Sequence, residues 1–502
     1  MMRRTKRIPV CVRLVMGMLF GTLSVVSLAN AGSPAQLGAR IDRLIDQPPF
    51  DRATWAVIVS DSTGRVLYER NADRWMVPAS DNKLLVASAA LELLGPSYRT
   101  TTSVYGTGPI TQGVLHGDLV VYGRGDPGFS ARCYGTESSG GVSCDSLWQG
   151  LDALADDLIA RGLRRVEGAI VADGSFFEPR LTHDSWGQYD LNWWYAAPVS
   201  GLGFNDNCVD IHWKPAGVAG APAVVSFEPY LGLLAFENRG RTTAAGTPRT
   251  LDFFRTPGTL AIWAEGNVPV DDAGLTEYFA LPDPNDYFAR ALRARLERKH
   301  VRIIGRTLST TDSLRYRDAR RSAALAERPS RPVSDLIFPI LNTSQNWFAE
   351  MLLKLLGRVR GGNGSWAKGL EIERRFLIDR AGIDSTAFAT VDGSGLASGN
   401  LVTARALTQI LTFARSHSGS DAFSRALPRS GGTGSMRRRF VGTPLEGQVI
   451  AKTGSIERVN SLSGFIERPS GGTLVFSVIV NNDAGTQSAL AQIDSVVVEM
   501  AR

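Results

Sequence analysis

Ser80-Asp81-Asn82-Lys83, Ser344-Gln345-Asn346 and Lys452-Thr453-Gly454 bring together, in that order, the residue types that serine acyl transfer needs when lysine handles the protons. A serine hydroxyl is a poor nucleophile until a neighbour takes its proton. Lysine can take it only when burial or a second positive charge lowers its pKa toward neutrality. Residues three apart share a helix face, so Lys83 can reach Ser80. Lys452 supplies a second cation that would depress Lys83. Ser344 and Asn346, two apart, share a direction only from a loop or extended segment, where a hydroxyl can relay protons and an amide can hold a carbonyl. Glycine after Lys452-Thr453 lets a substrate backbone come close. Taken singly, each string has a plainer reading: a capping serine with a surface lysine, a helix N-cap, and a strand-end turn. Their order and settings make the combination informative.

Those settings follow from the flanking sequence. Trp55 to Ser60 and Arg65 to Glu69 read as strands around the turn Asp61-Ser62-Thr63-Gly64. Leu84, Leu85, Val86, Ala87, Ala89, Ala90, Leu91, Leu93 and Leu94 form a helix apolar nearly all round, stopped by Gly95-Pro96, which belongs in a domain centre. Ser80 therefore stands at the N-terminus of a buried helix, where free N–H groups and a partial positive charge favour an oxyanion. Trp347, Phe348, Met351, Leu352 and Leu355 keep helical spacing just after Asn346. Gln448 to Lys452, Ser461 to Ile466 and Thr473 to Val480 read as three strands. Ala489, Ile493, Val496, Val497 and Met500 then mark one face of a last helix. Strands at both ends of the chain predict one sheet completed by both termini and covered by helices. From 104 to 304 the texture changes to short β-type runs between Gly/Pro-rich turns, with none of the three strings inside. This reads as a large, mostly β insertion splitting a catalytic domain of residues 40–103 and 305–502.

Hydrophobic residues at 43% and charged residues at 21% of 502 exclude disordered and fibrous classes. The net charge of +6 suggests a polyanion, but the first 31 residues hold Arg3, Arg4, Lys6, Arg7 and Arg13 and no acid. Without them the charge is +1, so no nucleic-acid partner is called for. Those residues read as a signal peptide: a basic stretch, an apolar run from Leu14 to Leu28, and the small-residue site Ala29-Asn30-Ala31. Export follows, and with it the chance of disulfides. Cys133 and Cys144 bracket a Gly/Ser-rich segment and are the favoured pair, leaving Cys208 free and buried, with Cys208 pairing to either still open. His116, His183, His212, His300 and His417 are scattered and read as surface or structural residues. No metal or organic cofactor is required.

The resemblance goes further than the three strings. Pro78 to Leu85, Asn342 to Leu352, Asp392-Gly393-Ser394-Gly395-Leu396, Gly431 to Arg437 and Glu446 to Gly454 look like the S13 peptidase family, D-alanyl-D-alanine carboxypeptidases and endopeptidases of the low-molecular-mass penicillin-binding group. The resemblance implies an α/β (α+β) serine β-lactamase/transpeptidase-like domain with a large insertion after the serine helix. It implies Ser80 as nucleophile, Lys83 as base and Ser344 as proton relay. Asn346, Lys452, Thr453 and Gly454 would hold substrate, and the N–H groups of Ser80 and Ser455 would form the oxyanion hole. Peptidoglycan peptides are the implied substrates, β-lactams the implied inhibitors and the periplasm the implied location, while a homodimer stays open. Two other readings share the strings: a β-lactamase, and a catalytically silent peptidoglycan-binding protein. Against the first, no Glu-x-x-x-Asn lies between Asn346 and Lys452. The intact serines and lysines count against the second.

Overall fold

The structure, a computed structural model, describes residues 34–502 apart from 131, 133–145, 433, 469, 484 and 486–488. The expected signal peptide and the Cys133–Cys144 pair lie outside the described residues. Cys208 is a buried free thiol.

A five-stranded antiparallel sheet joins the two ends of the chain in the order Val66–Arg70, Thr54–Asp61, Thr473–Asn481, Val459–Glu467, Val449–Ile456. Side chains alternate between the faces of a strand, and the first strand shows the consequence. Trp55, Val57 and Val59 pack on one face with Ile41, Ile493 and Val497 of the terminal helices Pro34–Ile45 and Ala489–Ala501. Ala56 and Ile58 face the opposite core, built from Lys83–Leu93, Val333–Leu341, Asn346–Gly361, Trp366–Asp379, Ala404–Ser416 and Ser420–Ala426. The helix Lys83–Leu93 is buried from Lys83 through Leu91, as its all-round apolar sequence requires.

The segment between has its own core, running from Val104 to Ala326. Its largest sheet has five strands, in the order Thr307–Thr310, Ile170–Asp173, Leu119–Tyr122, Thr101–Gly106, Ala326–Pro329. Pairing thus carries this sheet to Thr101 and Pro329, past the 104 and 304 that texture suggests, because its outer strands sit where helical sequence is about to begin or resume. Among the described residues three smaller sheets accompany it, including one formed by Ala235–Thr243, Ala261–Pro269 and Asp252–Arg255 from the turn-dense stretch. Two helices, Gln149–Ala160 and Pro284–Arg298, also belong here and are absent from the sequence reading. Leu151, Leu154, Ala155 and Leu158 form the buried stripe of the first, at helical spacing.

Candidate active site

Ser80 lies in a 3-10 turn, Ala79–Asn82, that runs directly into the helix starting at Lys83, rather than in the α-helix itself. Residues i and i+3 eclipse in a 3-10 helix, which brings the serine and lysine side chains together more directly than α-helical spacing does. Ala79 at φ +47° and Ser344 at φ +64° hold left-handed backbone that non-glycine residues rarely adopt, and both adjoin the reacting groups. Gln345 caps the following helix by accepting from the Trp347 N–H, leaving Ser344 and Asn346 to face the serine turn.

Lys83 Nζ lies 2.8 Å from Ser80 Oγ and donates to Asn346 Oδ1 and to the Ser394 carbonyl, both at 2.7 Å. The lysine is fully buried. Burial pushes its pKa well below the ordinary lysine value, and Lys452 pushes in the same direction against Asp392, Glu350 and Asp81. A neutral amine has two N–H donors and one lone pair. Two carbonyl acceptors take the donors, so the lone pair is left facing the Ser80 hydroxyl.

Lys452 Nζ donates to Ser344 Oγ at 2.8 Å and to the Thr453 carbonyl at 2.6 Å. Burial lowers this lysine to about 8, with the Asp81 carboxylate opposing. Asp81, at a variable position of its string, is itself buried and accepts from Ser463 Oγ at 2.6 Å; burial raises its carboxyl to about 7, with Lys452 pulling the other way. Thr453 Oγ1 donates to Ser435 Oγ at 2.8 Å, which brings the Gly431 to Arg437 segment to the same rim.

The strand Val449–Ile456 is the edge of its sheet. The Ala451 N–H points outward, donating to the Pro428 carbonyl. Backbone N–H groups alternate sides along a strand, so Thr453 and Ser455 present theirs to the open edge as well. Gly454 abuts the serine turn: a Cβ there would sit 2.2 Å from Ser461 Oγ, 2.7 Å from the Pro78 carbonyl and 3.0 Å from the Ser80 nitrogen. The strand edge that carries the Ser455 N–H therefore lies against the turn that carries the Ser80 N–H. The arrangement suits a tetrahedral oxyanion.

A cleft of about 960 Å³ opens over Ser80, Ser344, Asn346 and Ser455, and its far wall is Trp186, Asp190, Trp194 and Tyr195 from the insertion. Asn346 Nδ2 donates to the Tyr195 carbonyl at 2.8 Å, tying wall to base. These side chains form no recognised string, so the sequence alone points to no functional residue in the insertion. The loop of Asp392 and Ser394, whose Ser394 carbonyl accepts from Lys83, is marked in the sequence only by the family resemblance. Glu350 was not singled out, because a glutamate inside an amphipathic helix reads as solvent-facing.

A family model described as D-Ala-D-Ala carboxypeptidase 3 (S13) matches residues 37–502. The chain belongs to that family. It is 32% identical over 496 residues to a D-alanyl-D-alanine carboxypeptidase of Actinomadura sp. (strain R39), covering 96% of this chain and 88% of that protein. It is also 26% identical over 442 residues to carboxypeptidase DacB of Mycolicibacterium smegmatis, covering 86% and 76%. Its fold is that of penicillin binding protein 4 (dacB) from Haemophilus influenzae, with a TM-score of 0.77 at 22% identity over 91% of this chain and 97% of that one. That fold is the transpeptidase-like α/β architecture expected from sequence. Family membership makes the protein a serine-type hydrolase of the D-Ala-D-Ala carboxypeptidase kind. Among the described residues, no helix is long and apolar enough to cross a membrane.

Proposed function

We propose that this chain cleaves the D-alanyl peptide bonds of peptidoglycan stem peptides, at a terminal D-alanine and in crosslinks, through an acyl-enzyme on Ser80. The observation that carries the reading is the set of partners around Lys83 Nζ: Ser80 Oγ at 2.8 Å, with both N–H groups engaged elsewhere. Ser80 Oγ attacks the carbonyl carbon while its proton passes to Lys83. The oxyanion rests on the Ser80 and Ser455 N–H groups. The leaving amine takes a proton from the Ser344 hydroxyl, which the Lys452 ammonium resupplies across 2.8 Å. Positive charge thus moves from Lys452 to Lys83 as the ester forms, and hydrolysis by water returns it. Asn346, Lys452, Thr453 and Gly454 hold the peptide, the lysine and threonine binding its terminal carboxylate.

Residues 40–103 and 305–502 act as the catalytic unit around the insertion 104–304, whose sheet also takes in Thr101–Gly106 and Ala326–Pro329. The basic, apolar and small-residue order of the first 31 residues supports export to the periplasm, where peptidoglycan lies. A relative of the same fold, penicillin binding protein 4 of Haemophilus influenzae, has been solved in complex with a β-lactam. We extend that binding to this chain. The β-lactam carbonyl mimics the scissile amide, and its tethered leaving group blocks water.

Mass spectrometry after incubation with benzylpenicillin tests the reading. One covalent adduct is expected, on the peptide containing Ser80, and none in Ser80→Ala. A persistent adduct separates this activity from a β-lactamase, which sheds it quickly, and from a silent binding protein, which forms none. An adduct on another serine would sink the assignment.

A further inference from the structure

The loop Asp392 to Leu396 touches the base through one backbone carbonyl, and the residues that hold this loop are all buried. The geometry points to Asp392, seconded by Glu350, as a positioning residue for acylation: its carboxylate fixes the 394–395 peptide so that the Ser394 carbonyl holds one N–H of Lys83. The inference rests on Ser80 and Lys83 acting as nucleophile and base.

A peptide unit is planar and trans, so its N–H and C=O point in opposite directions. The Gly395 N–H donates to Asp392 Oδ1 at 2.8 Å, and the Ser394 carbonyl of the same unit accepts from Lys83 Nζ at 2.7 Å. Aiming one end therefore aims the other. Asp392 cannot turn. Its Oδ1 also accepts from Asn400 Nδ2 at 2.8 Å, and its Oδ2 accepts from the Ala397 N–H at 2.8 Å and from Trp186 Nε1 at 3.1 Å. The last donor comes from the insertion. Glu350 holds the two preceding peptides, accepting from the Gly393 N–H at 3.0 Å and the Ser394 N–H at 2.7 Å. Trp366 Nε1 donates to the same carboxylate at 2.8 Å. From the other side, Asn82 Nδ2 donates to the Asp392 carbonyl at 2.8 Å. Gly395, at φ +79°, lies so close beneath the serine turn that a Cβ would come within 1.9 Å of the Ala79 carbonyl.

Such a cradle matters because a lysine amine is free to spin about its last bond. Were the Ser394 carbonyl to tilt away, an N–H rather than the lone pair could face Ser80, and proton transfer would stop without any loss of the lysine itself. A displacement of this kind typically costs about 10²-fold in rate. The charged groups facing Lys83 are Lys452, Asp392, Glu350 and Asp81. Removing a carboxylate favours the neutral amine. The two effects of Asp392→Asn therefore have opposite signs: the acid limb of the rate moves to lower pH, while the plateau above it falls.

Stopped-flow acylation by benzylpenicillin, resolved into non-covalent binding and the chemical step across pH, reads both. Asp392→Asn and Glu350→Gln each replace an acceptor oxygen by an NH₂ group that meets existing donors. The expected result is a chemical step about 10- to 100-fold slower on the plateau, binding within about twofold of wild type, and an acid limb no higher than in wild type. A plateau rate within twofold of wild type in either folded variant would overturn the inference. Thermal melting identifies the folded variants. A third readout needs no variant. In wild-type protein the Gly395 amide should be among the slowest to exchange with deuterium, before and after acylation, and exchange within minutes would equally overturn the proposal. Failure of the underlying reading looks different, since wild type itself would then form no adduct at Ser80.

Discussion

Lys83 and Lys452 are both fully buried lysines, and the proposed mechanism needs them in opposite protonation states. The base must be neutral, so acylation is lost as pH falls through the Lys83 pKa. Burial and Lys452 hold that pKa well below the usual lysine range, which keeps the amine competent at neutral pH. In the proposed roles of carboxylate binding and proton relay Lys452 must be charged, so acylation should be lost as pH rises through about 8, where burial has lowered it. The rate of acylation against pH should be a bell with its alkaline limb near about 8. Lys452→Arg should carry that limb out of the accessible range, because a guanidinium does not deprotonate, even where the replacement lowers the absolute rate. Lys83→Ala should slow acylation by about 10²–10⁴-fold on the plateau, the difference narrowing on the acid side, where wild type loses its own base. An alkaline limb that persists in Lys452→Arg would assign it to another group.

At Gly454, between the serine turn and the strand Val449–Ile456, there is no room for a side chain, and on the proposed mechanism this contact sets the oxyanion site. Gly454→Ala places a Cβ where Ser461 Oγ and the Pro78 carbonyl now sit, 2.2 and 2.7 Å away. Ser461 Oγ donates to that same carbonyl at 2.7 Å, so neither neighbour can give without breaking a buried bond. The strand must move off the turn. Acylation of Gly454→Ala by benzylpenicillin should fall by about 10²-fold or more, the usual cost of losing one oxyanion donor. A rate near wild type, by the same stopped-flow measurement, would show that the contact is not needed. Elements that carry this site were legible wherever periodicity and composition agree. The all-apolar helix after Lys83, the last two strands and the terminal helix face stand as read, while the strand expected to end at Lys452-Thr453-Gly454 runs on to Ile456 and holds that string within it. Gln149–Ala160 and Pro284–Arg298 were not legible, because two amphipathic segments were averaged into some 200 residues of Gly/Pro-rich β texture. Glu350 and Lys354 were missed for a related reason. The spacing of Trp347, Phe348, Met351, Leu352 and Leu355 defines one apolar face, but the rest of that helix is covered too, Glu350 by Trp366 and the Gly393–Ser394 peptides and Lys354 by Arg180 and Glu178 of the insertion.

Lys354 shows how the whole molecule is tied together across the two cores. Its ammonium sits 3.4 Å from the centre of the Trp366 ring, donates to the Arg180 carbonyl at 2.7 Å and lies 3.4 Å from a Glu178 carboxylate oxygen. All but the tryptophan belong to the insertion. Burial lowers its pKa to about 7, with Glu178 opposing. The segment it pins continues into Trp186, Asp190, Trp194 and Tyr195, the far wall of the cleft. Lys354→Met keeps the bulk and the contact with Trp366 but removes the donor, so the Arg180 carbonyl loses its partner and the wall its anchor. The serine turn and Lys452 are held by other bonds, and the Asp392 loop keeps the bonds from Gly395, Ala397, Asn400 and Asn82 even where Trp186 shifts, so all three should stay in place. Small and large ligands should therefore respond differently. Acylation by benzylpenicillin, which needs only the base of the cleft, should change by less than about threefold. Hydrolysis of a full stem peptide, long enough to reach the insertion, should lose about tenfold in kcat/KM, the equivalent of about 1.4 kcal/mol. Equal losses on both ligands would mean that the anchor supports the catalytic core itself, and no loss on either would mean that the wall does not engage the peptide.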